Sequence, residues 1–223
     1  MGEKCIVSWS GGKDSALALH EILKAERYQV LGLLTTVTTD FGRISVHGVR
    51  RVLLEKQASS LGFPLEKMLV PKSVDNVEYE NTLLKLLEKN RDRGVSSVVF
   101  GDIFLEDVRE YREELLSKVG LKGVFPLWKR NTKELAHSFI DSGFKAIVTV
   151  VDSNFLSSEF AGREFDEAFL TDIPSNVDPC GENGEFHSFV YDGPIFRERI
   201  PVVKGEVVLK ENRFWFCDLA PTG

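Results

Sequence analysis

Long apolar runs are missing from this 223-residue chain. Nothing approaches the roughly 18 unbroken apolar residues that a membrane-spanning helix needs. The opening text, MGEKCIVSWSGGKDS, breaks its short apolar run with glycines at once, unlike a secretory signal. A soluble, cytoplasmic chain is therefore expected. Cysteine is scarce as well. Cys5, Cys180 and Cys217 are the only three, and none stands in C-x-x-C spacing. Neither a zinc nor an iron–sulfur site is indicated, and three is a poor number for a disulfide framework. Positive charge is also in short supply: 28 Lys and Arg against 34 Asp and Glu leave a net charge of −6. That balance gives no general attraction to nucleic-acid phosphates, so a nucleic-acid partner is disfavoured. Internal repeats and low-complexity segments are absent too. What remains is ordinary globular composition, 43% hydrophobic and 28% charged, in a chain long enough for a substantial core.

The hydrophobic pattern alternates between two periods. Residues 4–9 (KCIVSW) and Val30–Val37 (VLGLLTTV) read as short buried strands. Between them Asp14–Glu26 is helical, with Ala16, Leu19 and Leu23 on one face. A second helix is expected near Ser45–Leu61, stopped by Gly62 and Pro64. Lys67–Val70 and Val95–Phe100 read as strands, separated by a charged helix with Tyr79, Leu83, Leu86, Leu87 and Asn90 on one stripe. Val108, Tyr111, Leu115 and Val119 space out as another helix.

Such alternation predicts an α/β fold, a doubly wound parallel sheet with helices on both faces. Ligands of these sheets sit at the carboxyl ends of the strands, which brings three loops together: Ser8–Ser15, Thr35–Thr39 and Gly101–Asp107. Beyond about Leu127 the text changes. Asn131 with Glu134 resembles a capping box, and FKAIVTVV is one more strand. Alternating segments then follow, with hairpin turns expected at Lys204-Gly205 and Glu211-Asn212. Residues 1–127 are thus read as one domain, and 128–223 as a smaller α/β domain over the same edge.

The strongest chemical signal is Ser10-Gly11-Gly12-Lys13-Asp14-Ser15, between a strand and a helix. Paired glycines allow a sharp turn that presents consecutive N–H groups. The helix that follows adds its positive end, which favours a bound anion. Lys13 is expected to supply a mobile charge for phosphate oxygens, and Ser10 and Ser15 hydroxyl donors. The loop is not a Walker A sequence, which would require glycine in place of Val7 and Ser or Thr in place of Asp14. Nearby, Gly101 would let a phosphate approach the backbone. Asp102, with Asp14, is a candidate for Mg²⁺, or Asp102 for orienting an attacking group. Thr35 and Thr36 are candidates for nucleotide contact, and His47 for the same cleft. His20 and His137 read as surface or capping residues.

A second unusual segment is Asp178-Pro179-Cys180-Gly181-Glu182-Asn183-Gly184-Glu185-Phe186-His187-Ser188. Its glycines permit an irregular backbone that carries two carboxylates. Burying both would require cationic or metal partners. Binding of ammonium, or proton handling on an acceptor, is the reading for Glu182 and Glu185. Asn183 and His187 are candidate acceptor contacts. The bland alternative is an exposed acidic turn before a strand.

The first segment resembles the S-G-G-x-D-S signature of the PP-loop ATP pyrophosphatases, whose fold is adenine nucleotide alpha hydrolase-like. Together with GDI from Gly101, PLW at Pro126–Trp128 and GENGEF at Gly181–Phe186, the chain is similar to the diphthine–ammonia ligase family from about Ile6 to Phe196. The resemblance implies ATP and Mg²⁺ as cofactors and an adenylated carboxylate acceptor. It also implies amide formation with ammonia, with Lys13, Asp102, Glu182 and Glu185 as catalytic residues. Gly101, Thr35, Thr36 and residues 10–15 would then hold the nucleotide. Two stretches depart from the family text. His187-Ser188 stands where Glu-Thr is usual, and DIFLEDVREYREE replaces S-D-Y-Q-R-x-R-x-E. Both bear on the acceptor, which is small-molecule or protein-borne. Two further readings compete: a PP-loop tRNA-thiolating enzyme, and an adenine-nucleotide-binding regulator without turnover. A homo-oligomer is compatible with either.

Overall fold

The computed structural model describes residues 2–39, 43–44, 48–71 and 73–222. Its first half builds a parallel sheet. β1 (Glu3–Ser8), β2 (Tyr28–Thr38), β4 (Leu65–Val70), β5 (Ser97–Val99) and β6 (Lys122–Val124) pair in the order β4-β2-β1-β5-β6. A two-residue strand, β3 (Arg43–Ile44), runs antiparallel to the end of β2. The chain moves outward from β1 to β4, then returns to the other side of β1 at β5. That reversal opens the crevice in which doubly wound sheets bind ligands.

Side chains alternate across the sheet, so each face has its own core. On one face Cys5, Val7, Leu33 and Val99 pack against helices α1 (Lys13–Lys24) and α2 (Arg51–Leu61). On the other, Ile6, Leu34 and Val98 meet α3 (Asn76–Asp92) and α4 (Glu106–Ser117) in a smaller cluster. Gly62 ends α2 in the left-handed region, φ 76°, as the sequence predicts.

The second half forms an antiparallel sheet, in the order β8-β7-β10-β9. Its strands are β7 (Lys145–Asp152), β8 (Phe186–Asp192), β9 (Val202–Lys210) and β10 (Phe214–Pro221). α5 (Thr132–Asp141) is capped as expected, the Asn131 side chain accepting from the Glu134 N–H. Phe139, Phe165, Phe186 and Phe189 join the α1/α2 cluster without a break, so the two sheets share one core.

Several sequence expectations change. The segment Thr35–Thr39, read as a loop, is strand through Thr38 because it pairs with β4. The helix expected from Ser45 begins at Arg51, while residues 45–47 lie outside the described residues. Glu211-Asn212 is a tight turn with φ of 54° and 51°, the primed geometry that matches strand twist. Lys204-Gly205 is no turn. It lies inside β9, where the register with β10 shifts between Cys217 and Leu219. The short β6 and α6 (Glu167–Asp172) are too brief for periodicity to reveal.

Candidate functional site

Residues 10–15 link the end of β1 to α1. Gly11 sits at φ 79°, and a Cβ there would come within 2.5 Å of Leu54 Cδ2, so a side chain is excluded twice over. Ser15 Oγ donates to the Gly12 carbonyl at 2.9 Å and lies 3.2 Å from Ser10 Oγ. Gly12 caps α1 without any side-chain bond. First-turn amides have no carbonyl partner within a helix, the arrangement that favours an anion at such an end. Gly101 is required by packing as well. A Cβ on it would lie 2.8 Å from the Asp14 carbonyl carbon, so only glycine lets the end of β5 abut the helix.

The side chain of Lys13 corrects the expectation of a mobile charge. It is 4% exposed and points into the second half of the chain. There Nζ donates to both Asp14 carboxylate oxygens at 2.9 Å and to the Cys180 carbonyl, with the Phe186 ring 5.3 Å away. Burial is the largest effect and opposes its charge, but the Asp14 carboxylate, joined by Cys180 and Glu182, holds the ammonium above its ordinary pKa. Lys13 is therefore a tethered cation. Asp102 is engaged as well, paired with Arg112 at 2.8 and 3.1 Å. Arg112 in turn lies 4.4 Å over the Phe100 ring.

Beside this loop, on the α3/α4 face, lies a cavity of about 310 Å³. Ser10, Thr35 and Thr36 give it a polar rim, Leu83 and Phe100 an apolar body, and Arg112 a cation. A flat, partly polar ring system is the kind of ligand such a lining accepts.

The segment from Asp178 to Ser188 reaches the same edge from the second sheet. The Lys13 amide donates to Ser188 Oγ at 3.1 Å, and the Val190 amide to the Gly11 carbonyl at 2.9 Å. Gln57, fully buried, donates to both the Gly11 and Val190 carbonyls and accepts from Trp9 Nε1. Within the segment the two glutamates part ways. Glu185 is 1% exposed and accepts from the Asp178 amide, the Asn183 amide and Asn183 Nδ2, each at 3.0 Å. Its burial is thus met by N–H donors, not by the cations or metal expected. Glu182 is half-buried and, among the described residues, accepts only the Ile103 N–H, at 2.7 Å. Burial, abetted by the Asp14 and Asp102 charges and opposed by that N–H, pushes its pKa up to about 7.

The sequence-predicted residues thus fall into groups. Residues 10–15, Gly101, Asp102 and Glu182 converge on the end of β1, Thr35 and Thr36 line the cavity, and Glu185 is bonded within its own segment. Asn183 is exposed and turned back to Glu185, and His187 is half-buried in β8. His47 lies outside the described residues. Sequence reasoning missed Gln57, Arg112 and the role of Ser188. Gln57 carried a signal, since it shares the apolar face of α2 with Leu53, Leu54, Ala58 and Leu61. Arg112, in a charge-rich helix, carried none.

Among the described residues no group of three His, Cys, Asp or Glu could hold a metal ion. Any Mg²⁺ here would take most of its ligands from phosphate oxygens and water, as that ion commonly does.

Comparison with known proteins agrees with this architecture. A model of the diphthamide synthase N-terminal domain matches residues 3–123, and one of the C-terminal domain matches 131–220. The chain is 27% identical to the diphthine–ammonia ligase of Bos taurus, over 89% of its own length and 82% of that protein. With the Homo sapiens enzyme of the same name it shares 30% identity, over 60% of this chain and 52% of the relative. The Schizosaccharomyces pombe counterpart is 26% identical over 89% of this chain, which covers 36% of that longer protein. With both halves matched in order, the chain belongs to the diphthamide synthase, or diphthine–ammonia ligase, family.

Proposed function

We propose that this protein is an ATP-dependent amide ligase, which adenylates a carboxylate and passes the acyl group to ammonia. The observation that carries the reading is the junction of two loops. An anion-binding turn at the start of α1 lies bonded to a carboxylate-bearing segment from the second sheet. Residues 1–127 would hold the nucleotide, and 128–223 would present the acceptor.

ATP fits the site. The adenine ring suits the cavity beside Thr35, Thr36 and Phe100, and the triphosphate would follow Ser10 to the amides of α1. Mg²⁺ would neutralise phosphate charge, held with help from Asp14 or Asp102 once either carboxylate leaves its cation. An oxygen of the acceptor carboxylate attacks the α-phosphorus, and pyrophosphate departs toward the loop. Ammonia then attacks the acyl carbon, the C–O bond to AMP breaks, and a proton leaves the new nitrogen. Glu182 is the group suited to accept it, since a carboxyl with a pKa of about 7 exchanges protons readily near neutrality. Glu185 holds the segment in shape, which aims Glu182. Most of the rate would come from positioning and charge neutralisation.

The relatives are named for diphthine and ammonia, so a diphthine-like carboxylate heads the acceptor class. Among the described residues no helix is long and apolar enough to cross a membrane, which suits an aqueous acceptor; a cytoplasmic location belongs to this proposal. The test is incubation with α-labelled ATP, Mg²⁺ and ammonium, with and without candidate carboxylates. AMP that appears only with a carboxylate supports the ligase. AMP that requires tRNA, or tight binding with no turnover under any condition, overturns it.

A further inference from the structure

β9 is the outermost strand of the second sheet, and among the described residues no strand pairs with its outer edge. Three successive residues on it, Val207, Val208 and Leu209, are 39, 39 and 43% exposed. An open edge with that much apolar surface is a template for another strand. From these residues we infer that β9 pairs antiparallel with β9 of a second copy, about a two-fold axis at Val208, to give a homodimer with one continuous sheet.

The charges select the register. With the axis at Val208, Glu206 lies opposite Lys210 of the other copy, and the reverse pair forms by symmetry. Val207 then faces Leu209, and Val208 faces itself. Moving the axis to Glu206 sets that carboxylate against its own copy, and moving it to Val207 sets Lys204 against Lys210. Like charges directly opposite destabilise a pair. An axis at Gly205 would also match Lys204 with Glu206. There, however, the register with β10 is broken, two residues of β9 (Gly205 and Glu206) standing opposite Asp218 alone, and an edge bent in that way resists pairing. The segment Glu206–Lys210 lies clear of the break. Within one copy Lys210 already lies 4.7 Å over the Phe216 ring, which stands opposite Val208 in the ladder. The cation is thus held beside the apolar centre of the contact.

The experiment is sedimentation of the full chain from about 1 to about 200 μM, a range that captures weak association. Glu206→Lys and Lys210→Glu are compared singly, mixed, and combined in one chain. Each single variant should dimerise at least about tenfold more weakly, because two like-charged pairs replace two opposite ones. Both the mixture and the double variant should recover, since each restores opposite charges at both positions. Circular dichroism confirms that every variant is folded. A native chain that stays monomeric throughout overturns the inference, as does a dimer indifferent to both reversals, or reversals that the mixture fails to rescue.

Discussion

Two glycine-rich turns meet at the end of β1, and they treat polar groups in opposite ways. In the turn from Ser10 to Ser15 the N-cap residue Gly12 supplies no side chain, and the first helical amide, that of Lys13, donates to Ser188 Oγ. In the turn from Asp178 to Glu185 the carboxylates of Asp178 and Glu185 accept the segment's own N–H groups. One turn spends an amide across the junction, on Ser188 of the second sheet, whereas the other turns its donors back on its own carboxylates to hold a shape. Glycine permits both, and neighbouring donors decide which occurs.

The largest effect expected from breaking this contrast is at Lys13, the bridge between the turns. Lys13→Ala removes the cation beside the proposed phosphate site and strands Asp14 and the Cys180 carbonyl. ATP turnover should fall by about a hundredfold or more, read as AMP release. Next is Glu185→Ala, which takes a buried carboxylate from three N–H donors of Asp178 and Asn183. The chain should lose about 2–3 kcal/mol to urea. Acceptor-dependent AMP formation should be lost, while nucleotide binding changes only a few-fold. Intact acceptor turnover in that variant would refute the holding role.

Arg112→Ala should raise the KM for ATP by about tenfold with a smaller change in kcat, because Arg112 lines the cavity rather than the junction. The smallest effect sharpens the contrast by pH. Glu182 has a folded pKa near 7, above its ordinary value, so the folded state holds the extra proton. Its contribution to stability is complete at low pH and is lost as pH rises through 7. The nucleotide-free chain should therefore melt a few degrees lower at about pH 8 than at about pH 5, and Glu182→Gln should flatten that trend. Turnover should run the other way, rising through pH 7 as the carboxylate becomes able to take a proton.

Much of this was legible in the residues. Gly11 and Gly12 after a strand announced the turn into α1, and Asn131 with Glu134 announced the start of α5. Thr35 and Thr36 line the cavity, in a strand rather than a loop. Lys204-Gly205 misled because two turn-prone residues also serve where a ladder shifts register. Glu182 and Glu185 look equivalent on paper, since nothing local distinguishes a carboxylate with three N–H partners from one with a single partner.

The amino-acid order alone settled the alternation of strands and helices, the turn at the head of α1 and the family, because these rest on contacts between residues near in sequence and on motif text. Only the tertiary structure decided that Lys13 is tethered to Cys180, that Gln57 ties the two halves together, and that Asp102 answers to Arg112. Those partners come together only when the sheets close on one core, and burial then sets both their charge and their bonding.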